Sequence, residues 1–121
     1  MVAILGNPDV QGLYATHLTA ATGPAAAILR AGLQGDIKLV TFDAGPQQVR
    51  DLHDGVYDAL IAQERYTMGY DSVRLLLQIL SGEVTASDVD QIVKTGAVVA
   101  TRDNMNDLEV SKFFYVEACE R

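Results

Sequence analysis

Two short apolar runs, each closing on a polar residue and joined by one short helical segment, constrain the fold of this chain more than any other feature. The first run is Ile37-Lys38-Leu39-Val40-Thr41-Phe42, and Asp43 follows it at once. Ala44-Gly45-Pro46 turns the chain. Gln47 to Asp54 then spaces Val49 and Leu52 as one face of a helix, and Gly55 supplies the stop. The second run, Val56 to Ala62, enters Gln63. Runs of this length are the mark of buried parallel strands, and the helix between them makes a crossover. Ligands of open α/β sheets collect at the carboxyl ends of the strands. Asp43 and Gln63 are therefore the first candidates for a binding site.

The flanking segments extend the alternation. Residues 1 to 6 read either as a strand or as the last turn of a helix stopped by Gly6. Asn7-Pro8-Asp9 is a turn signal, and Val10 to Thr16 is expected to be a strand, weakened by Gly12. Thr19 to Arg30 is an Ala-rich helix ending at Gly32. Pro24 conflicts with an unbroken helix, because proline in a helix interior costs about 3 kcal/mol. The helix must either begin near Gly23 or bend there. Strand, helix, strand, helix, strand predicts a parallel sheet with right-handed crossovers.

Beyond Gln63, Thr67 to Leu80 is the longest helix candidate, with Thr67 as cap, Asp71 early and Gly82 as stop. Met68, Tyr70, Val73, Leu75, Leu76, Leu77, Ile79 and Leu80 run most of the way round it, which predicts burial on more than one side. Thr85-Ala86-Ser87-Asp88 signals a short helical turn, Gly96 to Thr101 a last strand, and Arg102 to Asp107 a polar loop. Leu108 to Tyr115 is expected to be a terminal helix with Val110, Phe113 and Phe114 inward. There is no internal repeat and no linker.

The chain has 121 residues, enough for one domain, and a formal charge of −7. With no Lys/Arg cluster it lacks the basic footprint that nucleic acid requires. No apolar run approaches the roughly 18–20 residues of a membrane span, so no insertion is expected. No basic n-region precedes the apolar Val2 to Leu5, so no signal peptide is read. Cys119 is the single cysteine and is read as incidental. His17 and His53 have neither the spacing nor the partners of a metal site, and no cofactor is expected. Phosphate-binding glycine motifs and the Gly-x-Ser-x-Gly elbow are absent, which leaves nucleotide binding and serine hydrolysis unmotivated. Asp51, Asp54 and Asp58 read as a solvated surface, and Tyr66 and Tyr70 as packing residues.

Four segments carry a family resemblance. They are Pro8-Asp9-Val10-Gln11-Gly12-Leu13-Tyr14-Ala15-Thr16, Ala31-Gly32-Leu33-Gln34-Gly35-Asp36-Ile37 through Asp43, Asp54-Gly55-Val56-Tyr57-Asp58-Ala59-Leu60-Ile61-Ala62-Gln63, and Met68-Gly69-Tyr70-Asp71-Ser72-Val73 through Glu83. In this order and spacing they resemble the C-terminal half of the type I periplasmic sugar-binding proteins, solute receptors of ABC importers whose fold is shared by the LacI-type repressor core. The resemblance implies an α/β, three-layer sandwich with a mainly parallel sheet, one lobe of a two-lobed fold. It implies that residues 1–121 are a single partial domain, truncated at the N-terminus, with residues 1 to 6 as the end of a helix. The 67–82 helix would pack on the absent lobe or on a second copy of the chain.

By resemblance, Asp43 is the family's sugar-binding aspartate and Gln63 its hinge glutamine. His17 stands where many members have a sugar-contacting asparagine, and Thr16 is a lesser candidate. The chemistry suits the task. A carboxylate can accept from two adjacent hydroxyls, and an amide can donate to one and accept from another. Two positions depart from the pattern: Leu18 replaces an aspartate, and Arg65 stands where proline is common. The implied function is non-covalent capture of a monosaccharide or similar polyol for an ABC permease outside the cytoplasm, without catalysis. The alternatives are the effector-binding core of a LacI-type regulator, and a remnant that binds nothing.

Overall fold

The computed structural model describes residues 2–7 and 9–116, without the side chains of residues 2 and 3. Pro8 and Cys119 lie outside the described residues. The elements in chain order are α1 (Val2–Leu5), β1 (Gly12–Ala15), α2 (Leu18–Ala31), β2 (Lys38–Phe42), α3 (Pro46–His53), β3 (Ala59–Gln63), α4 (Arg65–Leu80), β4 (Ala97–Ala100) and α5 (Leu108–Ser111). The expected α/β class and mainly parallel sheet are both present. The strands lie in the order β1-β2-β3-β4, with the first three parallel and β4 antiparallel to β3.

Successive crossovers of one hand between neighbouring strands place their helices on one face of the sheet. Accordingly α2 and α3 lie side by side, with a groove between them lined by Thr22 and Ala26 of α2 and Gln47 and Asp51 of α3. Strand alternation then decides the core. Ala15, Leu39, Thr41, Leu60, Ala62 and Ala100 share register on one face and are buried, together with Ile28 of α2 and Leu52 of α3. Tyr14, Val40, Phe42, Ile61 and Val99 share the other face. Tyr14 is 56% and Val99 53% exposed, and the three between them are half-buried.

Residues 1 to 6, ambiguous in sequence, form the α1 turn over Val2–Leu5. Helix α2 starts at Leu18 and runs through Pro24 to Ala31, which excludes a start near Gly23. Ala21, Pro24, Ala25 and Ile28 are its buried stripe, at the i, i+3, i+4, i+7 spacing of a core-facing helix. Packing thus outweighs the missing N–H of Pro24. Nearby, the buried Tyr57 hydroxyl donates to the Ala21 carbonyl at 3.2 Å. Gly32 closes the helix in the left-handed conformation, at φ 66°.

Further expectations need correction. Helix α4 begins at Arg65, after Glu64, so Thr67 sits in its first turn rather than at its cap. It buries none of its residues, contrary to its apolar circumference: Leu76, Leu77 and Leu80 are 59%, 61% and 81% exposed. Tyr66 and Tyr70, 81% and 58% exposed, stack on each other with ring centroids 6.0 Å apart. The terminal helix α5 stops at Ser111 instead of Tyr115, although Val110 is buried and Phe113 and Phe114 pack against the core as expected. Asp58 is not merely solvated. It accepts from the Leu39 amide at 2.9 Å and pairs with Lys38 at 3.3 Å, tying the approach of β3 to β2.

Candidate functional site

The parallel strands deliver their carboxyl ends to one edge of the sheet. Since β1, β2 and β3 are neighbours in that order, the residues after each strand line up: Thr16 and His17, then Asp43, with Gln63 closing β3. Local structure fixes Asp43 there. Its amide donates to the Ile61 carbonyl at 2.9 Å and extends the β2–β3 ladder past Phe42. Its backbone then takes φ 81°, unique among the described non-glycine residues. This conformation costs roughly 1–3 kcal/mol and persists only where the surroundings impose it. A Cβ at Gly45, next to it, would stand 2.5 Å from the Leu18 Cδ1, so the end of that partly exposed side chain would have to shift to admit one. Gln48 accepts from the Gly45 amide at 2.8 Å and completes the turn into α3.

The Asp43 carboxylate is 6% exposed and surrounded by donors. Oδ2 accepts from the Leu18 amide at 3.0 Å. Oδ1 accepts from Gln63 Nε2 at 3.1 Å, Arg65 Nη2 at 2.6 Å and the Tyr115 hydroxyl at 2.5 Å. Burial is the largest single influence and raises the carboxyl pKa. The hydrogen bonds from Tyr115, Leu18 and Arg65, with the Arg65 charge, outweigh it and hold the group below the ordinary value of 3.8. Asp43 is therefore an anion. Burial, reinforced by this carboxylate, pushes the Tyr115 hydroxyl up, so it stays a donor. Asp43 is also a helix cap, as a turn aspartate often is. The helix it caps is α2, reached across the fold, where a negative charge meets the free amides of the first turn.

The two residues singled out first are thus brought together, bonded to each other at the carboxyl edge. His17 sits at the N-cap of α2, exposed, with Nδ1 accepting from the Ala20 amide at 2.9 Å. That bond places the proton of the neutral ring on Nε2 and leaves one donor facing solvent. Thr16 is exposed in the bend between β1 and α2. Glu64 anchors the far side: its side chain accepts from the Gly96 amide and its own amide donates to the Gly96 carbonyl, both at 2.9 Å. Among the described residues no group of three His, Cys, Asp or Glu side chains could hold a metal ion.

Two members of this cluster were not foreseen as such. Arg65 is marked in the sequence only as a departure from the expected proline, two residues beyond Gln63. Tyr115 gives no signal, since it lies 72 residues from Asp43 and inside an expected helix. Past the end of α5 the chain instead crosses to the site, where the Tyr115 amide donates to the Ala44 carbonyl at 3.0 Å. The Arg65 guanidinium rests 3.6 Å from the centre of the Tyr115 ring. Beside them a cleft of about 590 Å³ opens between Gln63 to Thr67 and Lys112 to Val116.

Comparison with known proteins gives this geometry a context. A family model described as periplasmic binding protein domain matches residues 1–84. No curated protein matches. Among solved structures, the chain is similar to an ABC transporter solute-binding protein of Agrobacterium vitis with bound D-fucose, at 30% identity and TM-score 0.84 over 94% of this chain. A second from the same organism, bound with α-D-tagatopyranose, shares 32% identity at TM-score 0.84 over 96%. A carbohydrate transporter solute-binding protein of Agrobacterium radiobacter in complex with D-arabinose shares 31% at TM-score 0.83 over 94%. The chain spans 38%, 38% and 37% of the length of these three.

Proposed function

Because the chain belongs to the periplasmic binding protein domain family, we propose that it forms one sugar-contacting face of a solute receptor serving an ABC importer outside the cytoplasm. It holds a monosaccharide by hydrogen bonds and transforms nothing. The observation that carries this reading is the pairing of Asp43 and Gln63 at 3.1 Å on the carboxyl edge of adjacent parallel strands. There a charged acceptor and a two-way amide stand side by side, and the outward Nε2–H of His17 adds a donor along the same edge. The sugars named for the similar structures make pentoses and hexoses the class to test.

The same reading assigns α4 to contact with a companion lobe. The helix follows directly on Gln63 and buries no residue of its own. A second copy of the chain is the other occupant to distinguish, and light scattering across a concentration series does so.

The affinity of this face alone is low. Two or three bonds at roughly 1.5–3 kcal/mol each work against an association cost of at least about 4 kcal/mol. Binding near the millimolar range is expected. The test is an amide NMR titration with D-arabinose, D-fucose and D-tagatose. Asp43 and Gln63 should shift first, with His17 close behind. A titration that moves other amides while the carboxyl edge stays still overturns the assignment.

A further inference from the structure

We propose that Arg65 and Tyr115 form a latch over Asp43, occupying the place of a ligand hydroxyl, and that sugar reaches the carboxylate only when the latch opens. The inference rests on the sugar-binding reading above and deepens it by naming the two residues that gate the site.

A carboxylate offers about four lone-pair positions, two on each oxygen. Oδ1 of Asp43 takes three donors, Gln63, Arg65 and Tyr115, one more than its two positions, and Oδ2 takes the Leu18 amide. One position on Oδ2 remains. Adjacent sugar hydroxyls need both oxygens, so a ligand must displace something.

The four donors are not equally movable. The Leu18 donor is a backbone amide in the first turn of α2, and Gln63 donates through a side chain whose backbone is fixed at the end of β3 and which the sugar-binding reading itself assigns to the ligand. Arg65 and Tyr115 are side chains from the edges of the cleft. Arg65 reaches in from the first turn of α4 with its side chain 49% exposed, and Tyr115 from the segment after α5. They are coupled, since the guanidinium stacks on the phenol ring at 3.6 Å while both donate to the same oxygen. Phe113 and Phe114 pack against the core and the Tyr115 amide donates to the Ala44 carbonyl, so opening is a rotation of the Tyr115 side chain on a fixed backbone. The pair therefore moves as a unit, and the cleft between the first turn of α4 and Lys112 to Val116 gives it somewhere to go.

The test compares the full chain with Tyr115→Phe and Arg65→Ala, each checked for native amide dispersion, by NMR titration with D-arabinose and D-fucose. Tyr115→Phe keeps the ring and removes one competing donor. Arg65→Ala removes a half-exposed side chain and leaves the core intact. A latch predicts that each variant binds at least about tenfold more tightly, a change of about 1.4 kcal/mol. It also predicts that in the unaltered chain the Tyr115 amide shifts in step with Asp43. Weaker binding by either variant would make the pair sugar ligands and overturn the gating role. Equal binding in all three chains, or sugar bound with Tyr115 unmoved, would overturn the latch alone and leave the sugar site standing. Absence of any shift in all three folded chains would remove the sugar site, and the gate with it.

Discussion

Replacing Asp43 by asparagine tests whether the charge at the carboxyl edge organises the fold independently of any ligand. Asparagine keeps the shape and tolerates φ 81° about as well as aspartate. What it loses is acceptor capacity. If its NH2 group takes the Oδ2 position it faces the Leu18 amide, donor against donor, and a part-buried N–H is left unpaired at about 1–3 kcal/mol. If it is turned the other way it faces Gln63, Arg65 and Tyr115 together, which is worse. Arg65 also loses its partner, but its side chain is 49% exposed, so screening limits that loss to about 0.5–1 kcal/mol. The total is roughly 2–4 kcal/mol, a large share of the 5–15 kcal/mol typical of domain stability. With a urea m-value of about 2 kcal/mol per molar, the unfolding midpoint should fall by about 1–2 M. The pH dependence has a definite sign. The folded-state pKa of Asp43 lies below its ordinary value of 3.8, so its contribution is fully present above that value and is lost as pH falls through the folded pKa. The gap between native chain and Asp43→Asn should therefore be constant near neutrality and narrow in acid. A variant within about 0.5 kcal/mol of the native chain, or a gap that widens on acidification, would refute the reasoning.

Other perturbations separate core from surface. Leu52→Ala empties a fully buried position on α3 and should cost about 2–5 kcal/mol in urea unfolding. Tyr57→Phe removes the bond to the Ala21 carbonyl and should cost about 0.5–1.5 kcal/mol. Burial, then Asp51, pushes the Tyr57 hydroxyl up to about 12, so the same variant should leave the tyrosinate absorbance unchanged as far as about pH 11. Leu76→Glu and Leu77→Glu on α4 should each shift stability by no more than about 0.5 kcal/mol, because the helix buries none of its residues; losses above about 1.5 kcal/mol would mean that the chain covers it in solution.

Legibility in the sequence followed the range of the interactions involved. The β2–α3–β3 unit was readable because strand alternation, the Gly45-Pro46 helix entry and the Gly55 stop are all local, and they agree with one another. Placing Asp43 beside Gln63 needed only the rule that consecutive parallel strands end at one edge. Pro24 leaves the start of α2 open in the sequence because propensity opposes it locally, whereas the stripe Ala21, Pro24, Ala25, Ile28 that keeps it helical is a tertiary fact. Helix α4 failed in the opposite way: its apolar residues were correctly seen, but composition states what a surface prefers, not whether the chain supplies a partner. The site shows the same limit at closer quarters. Sugar chemistry in the sequence ends at a carboxylate and an amide on neighbouring strands, with His17 and Thr16 beside them, a face that would stand open to solvent. The donors that fill it come from a helix start that sequence placed two residues late and from a tail that it kept helical. Both errors concern element ends, where one hydrogen bond to a distant carboxylate outweighs the local preference of a turn. Asp43, buried, charged and held at positive φ, accepts from one side chain beside each of these ends. That is the physical reason why the residues that control access to it are those a sequence reading is least able to place.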